Sequence, residues 1–300
     1  MLKQKAIKKI YISTLALIIL LLICIFPSNK DINEEIVYLP NKELPIYAID
    51  PNGYVVRTNI IDKTDKSLSN IEFIIDVLTI GSVNNLVLTN GFVGVIPKGT
   101  ALLNYETENN TLKLNFSNEF LNIEKENEEK LIESLVYSLC EIKNIDNISI
   151  YVEDQLLDKL PNSKKSLNSK LDKSYGINKI FDVSDIKNTS KTTIYYLEKI
   201  NSNEYYVPIT KINNSNKEAV EIIIEELQNK PIYESNLISY LNVAYELQDY
   251  EILENSIKLS FDNKALANLK DSEITEKVKF SLSLSLRDTY LIDDITILFN

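Results

Sequence analysis

Hydrophobic residues follow two different periods along the chain, and these periods predict helices and strands. Apolar residues recur at i, i+3, i+4 and i+7 in segments 71–78 and 220–227, which predicts an amphipathic helix in each. The segment 112–116 alternates apolar and polar residues, as a strand with one exposed face does. An apolar stripe at 128–142 predicts another helix. It begins with acidic residues, which interact favourably with the helix dipole in the first turn.

The same kinds of segment recur in the same order, which indicates an internal repeat. The matched pairs are 36–39 with 194–197, 71–78 with 220–227, 112–118 with 257–263, and 148–152 with 295–299. Each half is therefore predicted to run strand, helix, hairpin, helix, strand. The fold class that follows is α+β, with two repeated domains that each have a small, mostly antiparallel sheet and two helices on one face. We place the first domain at 31–157 and the second, divergent domain at 192–300.

One segment of the second half and the stretch between the halves need separate interpretation. From Val278 to Leu286, apolar residues alternate with Lys and Ser, which in isolation predicts a strand. The place of this segment in the repeat predicts a helix instead, with Ser272 or Thr275 as its cap, and we favour the helix. Residues 158–191 are rich in Lys, Asn and Ser, which predicts a linker with short ordered pieces near 177–183.

An apolar run from Ile10 to Phe26 predicts a membrane anchor. It reaches the lower limit of about 17 residues for a spanning helix and exceeds a typical signal-peptide core. Lysines precede the run and acidic residues follow it, so the N-terminus is predicted to be cytoplasmic and the bulk of the chain extracytoplasmic. Residues 1–30 are thus predicted to be a cytoplasmic tail and a single-pass transmembrane signal anchor in the cell membrane. Cys24 is an alternative lipidation site, which Ile23 disfavours because a lipoprotein signal has a small residue there.

Composition narrows the chemistry that the chain can perform. The 300 residues include no His and two Cys, and the net charge is −11. Without His, neither a Ser-His-Asp triad nor a His-containing zinc site can form within the chain. The acidic balance also argues against nucleic acid as a partner, because phosphate binding draws most of its affinity from clustered Lys and Arg. We predict no catalytic, cofactor-binding or metal-binding residues; a glycan hydrolase using Glu119 and a second acid is the distant enzymatic alternative.

Four segments of the first half carry motifs that resemble a known family. They are an Ile-Pro-Lys-Gly-Thr turn at 96–100, a strand and turn at 112–120, a helix containing 134–139, and a strand at 148–152. Together they resemble the GerM domain of sporulation and spore-germination proteins. The residues that match the family motifs are Ile96, Pro97, Gly99, Thr100, Leu114, Asn115, Phe116, Ser117, Glu119, Phe120, Leu135 and Leu139. Pro97 and Gly99 are expected to shape a tight turn rather than to bind a ligand.

The resemblance implies a fold similar to ring-building α/β domains and a non-enzymatic role in endospore formation or germination. A membrane-anchored chain of this plan would act through GerM-like domains that self-associate or bind homologous ring-forming proteins of the channel between mother cell and forespore. Its expected location is then the space between the two membranes. The alternative is a cell-envelope protein that binds peptidoglycan or assists a hydrolase on another chain.

Overall fold

The structure is a computed structural model that describes residues 43–61, 69–185, 187–229, 235–241, 246–262 and 272–299. Within these ranges the helices are α1 (Asn70–Leu78), α2 (Glu128–Leu139), α3 (Ala219–Gln228) and α4 (Ser272–Tyr290). The first six strands are β1 (Glu43–Ile49), β2 (Val55–Ile61), β3 (Leu102–Glu108), β4 (Thr111–Phe116), β5 (Asn147–Val152) and β6 (Gln155–Leu156). The later strands are β7 (Ile180–Asp182), β8 (Ser190–Ile200), β9 (Asn203–Asn213), β10 (Leu237–Ile238), β11 (Leu247–Ile252), β12 (Ser256–Phe261) and β13 (Asp294–Phe299).

These strands form three sheets. The largest has the order β1-β2-β9-β8-β10, with β7 paired to β9, so it takes strands from both halves. The order β3-β4-β5-β6 forms a second sheet and β11-β12-β13 a third, one in each half. The second sheet is mostly antiparallel, as predicted, with two of its three pairings antiparallel, whereas the third sheet has one pairing of each kind. Each of the two contains one parallel pair, β4 with β5 or β12 with β13, because α2 or α4 carries the chain back across the sheet between the two strands.

The predicted repeat is present, with two corrections. Each half begins with a hairpin, not with a single strand, and then runs helix, hairpin, helix, strand. The segment 36–39, which the sequence matched to 194–197, lies outside the described residues. The structural counterpart of β8 is β1, in which Tyr47 takes the place of Tyr195, 148 residues later. The two opening hairpins also join one sheet at the pair of Arg57 and Tyr206, which covers strand edges that separate domain sheets would leave open.

Helices α2 and α4 cover the outer edges of this central sheet with hydroxyl groups. In α2, Ser138 Oγ accepts a hydrogen bond from the backbone N–H of Tyr47 at 2.8 Å. In α4, Ser285 Oγ accepts the N–H of Tyr195, also at 2.8 Å. Among the described residues, neither amide has a neighbouring strand to bind on that side. The serines therefore satisfy buried backbone donors that an uncovered edge would leave unpaired.

The same hydroxyl contacts explain why the sequence of α4 alternates like a strand. Val278, Leu282 and Leu286 are buried on one side of this helix, as the repeat predicted. Ser281 and Ser285 are buried too, because their hydroxyls bond to backbone: that of Ser281 donates to a strand carbonyl and that of Ser285 to a carbonyl in its own helix. The helix interpretation is thus confirmed, and small polar residues at a helix-to-sheet contact produced the misleading period.

Residues 158–191, predicted as a linker, pack into the fold. The buried apolar side chains of this segment are Leu160, Leu167, Leu171 and Ile177. Nδ2 of Asn178 donates to the carbonyl oxygens of Val55 and Pro208, at 2.8 Å each. This amide bridges β2 and β9 where Pro208 has no N–H to offer the ladder. This segment is therefore part of the packed fold, while its assignment as a linker and the domain boundaries stay predictions.

The predicted anchor at 10–26 and the alternative lipidation site Cys24 lie outside the residues that the structure describes. Among the described helices, none is both long enough and apolar enough to cross a membrane. Membrane attachment of this chain stays a prediction.

Candidate interaction surfaces and the contacts between the halves

The Ile-Pro-Lys-Gly-Thr motif forms the turn that leads into β3. Ile96 and Pro97 are buried, whereas Gly99 is exposed. The N–H of Thr100 donates to the Pro97 carbonyl at 3.2 Å and closes the turn. Gly99 has a φ of +85°, a left-handed conformation that residues with a side chain rarely adopt. Backbone geometry therefore accounts for these residues without a ligand.

The strand motif in and after β4 joins the core to neighbouring turns. Its buried apolar residues are Leu114, Phe116 and Phe120. Nδ2 of Asn115 donates to Asp154 Oδ1 at 2.6 Å, and Asn115 Oδ1 accepts the Asp154 N–H at 3.0 Å, so Asn115 fastens the turn between β5 and β6. Ser117 Oγ accepts the N–H of Ala101 at 3.0 Å and ties the end of β4 to the start of β3.

The remaining motif residues divide into core and surface. Leu135 and Leu139 are buried in α2, and Glu119 is exposed. A hydrogen bond from the Ser117 side chain lowers the pKa of Glu119. A general acid in glycoside hydrolysis needs the opposite shift, so this geometry gives the hydrolase hypothesis no support. Across the described residues, no three His, Cys, Asp or Glu side chains come together as a metal site.

An open groove of about 850 Å³ lies beside the motif turn in the first half. Ile80, Val83 and Leu103 line it. Leu86 lies in a short 3-10 helix that begins directly after Val83, and residues three apart in such a helix lie on the same side. Val83 and Leu86 are 83% and 84% exposed. We call Ile80, Val83, Leu86 and Leu103 the apolar patch. Clustered, exposed apolar side chains of this kind are typical of sites where another molecule binds.

A buried cluster of charges lies where the two halves meet. Lys173 Nζ is 2.6 Å from Glu141 Oε1 and 2.8 Å from Asp288 Oδ1. Arg287 also bonds both acids, at 2.5 Å to Glu141 and 2.8 Å to Asp288. We call Glu141, Lys173, Arg287 and Asp288 the ion cluster. Two cations and two acids balance its charge.

The ion cluster keeps its acids ionised and is bridged by two tyrosines. Burial disfavours the charged forms of Glu141 and Asp288, but the charges of Arg287 and Lys173 outweigh burial and hold the pKa of each acid below its usual range. The hydroxyl oxygens of Tyr47 and Tyr195 are 2.8 Å apart, and that of Tyr195 donates to Asp288. Since every polar group here has a partner, the arrangement can stabilise the contact between halves.

A second contact between the halves joins two acids. Asp50 and Glu198 are 3% and 0% exposed, and Asn52 Nδ2 donates to Glu198 Oε1 at 2.6 Å. Burial, followed by a hydrogen bond with Asp50 and the charge of Asp50, raises the pKa of Glu198 to about 7. A carboxyl group with this pKa keeps a proton close to neutral pH, so the two acids can share one. We call Asp50 and Glu198 the acid pair.

Neither the ion cluster nor the acid pair was predicted from the sequence. A signal was available in the repeat, because aligning Tyr47 with Tyr195 also aligns Asp50 with Glu198. The match of 36–39 to 194–197 concealed that alignment. Lys173 gives no such signal, since it lies in the segment between the repeated units.

The fold and these contacts define a tandem α+β protein, in which two copies of one domain are fused through a shared sheet. A family model described as "Germane: Sporulation and spore germination" matches residues 45–158. The chain is 30% identical over 260 residues to spore germination protein GerM of Bacillus subtilis (strain 168), in an alignment that covers 85% of this chain and 70% of that protein.

A solved structure has the same tandem arrangement. The tandem GerMN domains of the sporulation protein GerM from Bacillus subtilis match with a TM-score of 0.75 and 28% identity, over 86% of this chain and 90% of that chain. The chain belongs to the GerM family of sporulation and spore germination proteins. This confirms the family that the motifs indicated, and the tandem of mixed α/β domains is confirmed with it.

Proposed function

We propose that this chain is a non-enzymatic, membrane-anchored assembly protein of endospore formation or germination. Its GerM-like domains would contact copies of themselves or homologous ring-forming proteins of the channel between mother cell and forespore. Family membership supports the developmental role. The sequence supports the anchor through the apolar run at 10–26.

The apolar patch is the observation that carries the assembly role. Val83 and Leu86 are more than four-fifths exposed, although burying such side chains is favourable by roughly 1.5 to 3 kcal/mol each. The patch lies beside the edge strand β3, whose outer side has no partner strand among the described residues. An open strand edge next to apolar side chains can accept a partner through backbone hydrogen bonds and apolar contact together.

The groove beside the patch has an uneven charge distribution that suits a protein partner. Glu72 and Asp76 lie on its α1 side and Lys98 on the motif-turn side. A polar rim around apolar side chains is the usual anatomy of a protein–protein interface.

The experiment uses the full chain in its native host. A fluorescent fusion carrying Val83→Glu and Leu86→Glu should lose its position on membranes around the forespore, and spore yield should fall, because two buried charges would oppose docking. Ile61→Glu with Leu156→Glu is the matched control, since it adds two charges at other exposed apolar residues of the first half. Normal position and spore yield in the double variant would overturn the proposal. Retention of the wild-type protein on purified peptidoglycan would instead support the cell-envelope alternative.

A further inference from the structure

A second groove is lined by lysines, in a chain whose net charge is −11. Its volume is about 470 Å³, and most of its lining comes from the segment 158–191. The lysines are Lys165, Lys170, Lys179 and Lys191. Phe181 is 63% exposed and lines the same groove. We call these five residues the basic groove.

Two of the four lysines are neutralised within the molecule and two are not. Lys165 and Lys179 form ion pairs with acids of α2, at 2.7 Å each. Lys170 and Lys191 are exposed, and no carboxylate of the described residues lies within ion-pair distance of either one. Lys191 Nζ donates to the Ser174 carbonyl at 3.0 Å, which leaves further N–H groups of this ammonium available.

The lysines also act on one another through their charge. Burial lowers the pKa of Lys191, and the charges of Lys179 and Lys165 lower it further against the opposing charge of Asp172. When an anion binds beside a positive side chain that its neighbours repel, the anion offsets that repulsion and stabilises the charged form. The groove is therefore suited to a negatively charged partner.

The same chain has a small acidic surface of complementary character on β11. Its acids are Asp249 and Glu251, both exposed, and they share one side of the strand because successive side chains of a strand alternate. Leu253, which is 53% exposed, directly follows β11. Lys258 lies opposite Glu251 in the ladder and offsets one of the two charges. We call the two acids and Leu253 the acidic face.

We propose that the basic groove of one copy of this chain binds the acidic face of a second copy. Each surface combines charge with one exposed apolar side chain, Phe181 or Leu253, so ion pairing and apolar burial can occur together. β11 is also an edge strand, and like charges on it oppose direct pairing of two β11 edges. A basic partner removes that repulsion.

The contact is heterologous, because the two surfaces are different. Such a contact repeats from copy to copy and closes into a ring when the rotation between copies permits. The inference rests on the self-association in the proposed function, but it uses surfaces other than the apolar patch. An experiment can therefore contradict this inference without contradicting the role of the apolar patch, and the reverse.

The test uses two differently tagged full-length copies, co-expressed in the native host and solubilised in mild detergent. Reversing the groove with Lys170→Glu and Lys191→Glu in both copies should reduce co-purification by at least about tenfold, as should reversing the face with Asp249→Lys and Glu251→Lys. One copy with the reversed groove and one with the reversed face should co-purify again, since the unchanged face of the first copy can bind the unchanged groove of the second and the two reversed surfaces are complementary as well. Wild-type co-purification should weaken as NaCl increases.

Lys125→Glu with Lys143→Glu is the matched control, since it changes the net charge equally at two other exposed lysines. Co-purification that survives both reversals, or that the mixed pair does not restore, would overturn the inference and leave the apolar patch untouched. Absence of co-purification in the wild type would overturn it too, while a homologous partner could still bind the patch. If Val83→Glu with Leu86→Glu leaves sporulation normal and the charge reversals act as expected, the proposed function fails and the inference stands.

Discussion

The ion cluster and the acid pair both bring together acids that occupy equivalent positions in the two halves. Asp50 faces Glu198 in the acid pair, and Glu141 approaches Asp288 in the ion cluster, so each contact has to relieve the repulsion between two carboxylates. In the ion cluster, Lys173 from the segment between the units bonds both acids. In the acid pair, burial and the neighbouring acid raise the pKa of Glu198 to about 7 instead. Mutual repulsion is relieved by a cation in one place and by a proton in the other.

Lys173→Met should have the largest effect. It keeps most of the side-chain volume but leaves Glu141 and Asp288 with Arg287 as their remaining cation in the cluster. Breaking a buried ion network by removing one partner costs about 3 to 5 kcal/mol of unfolding free energy. Urea denaturation of the compact unit 40–300 measures this cost.

Lys170→Met is the control for that variant, because it removes an exposed lysine from the same segment and should change stability by less than about 0.5 kcal/mol. Equal effects of the two variants would show that the segment contributes through its chain path, and not through a charge placed between the halves.

The two tyrosines of the cluster should differ, although the repeat makes them equivalent. Tyr195 donates to the carboxylate of Asp288, so Tyr195→Phe removes a hydrogen bond to a charged group and should cost about 1.5 to 3 kcal/mol. Tyr47 has the Tyr195 hydroxyl at 2.8 Å and Glu141 Oε1 at the longer distance of 3.3 Å as partners of its single O–H, and Tyr47→Phe leaves the bond to Asp288 in place. Its expected cost is about 0.5 to 1.5 kcal/mol. Urea denaturation of both variants measures the loss of unfolding free energy in each. Equal losses would contradict this asymmetry.

The sequence predicted local elements better than the contacts between them. The hydrophobic period located α1, α2 and α3. For α4, the alternation of serine and leucine alone predicted a strand, and the place of the segment in the repeat correctly predicted a helix. Neither signal reports which strand edges meet, so the joining of β2 to β9 at Arg57 and Tyr206 was not predicted. Composition predicted a linker at 158–191 because lysine and asparagine are usually solvated. Lys173 and Asn178 are instead held by partners distant in sequence, which composition does not report.

The candidate surfaces could be predicted from the sequence only in part, for the same reason. The motif residues were located by family resemblance, and the structure places most of them in core or turns. The apolar patch beside them, from Ile80 to Leu103, has no period of its own, because its residues come from a loop and a strand that only the fold brings together. Lysines of the basic groove are likewise spread over the segment and β8.

Glu198→Gln should change stability least at neutral pH. It also gives the sharpest contrast with the ion cluster. The folded-state pKa of Glu198, about 7, lies above the ordinary value of about 4.3. The folded protein then binds a proton that the unfolded chain has released, so stability is greatest at low pH within this range and falls as the pH rises from about 4.3 to 7. Gln cannot ionise, and its amide can still donate to Asp50 and accept from Asn52. The variant should therefore lose this part of the pH dependence.

Thermal denaturation of both proteins between pH 5 and pH 8 measures the difference. A shallow slope should remain in the variant, because burial also raises the pKa of Glu133. The exposed acid Glu124 supplies the control, since Glu124→Gln should leave the wild-type slope unchanged. A wild-type slope that persists in Glu198→Gln would show that the acid pair does not share a proton.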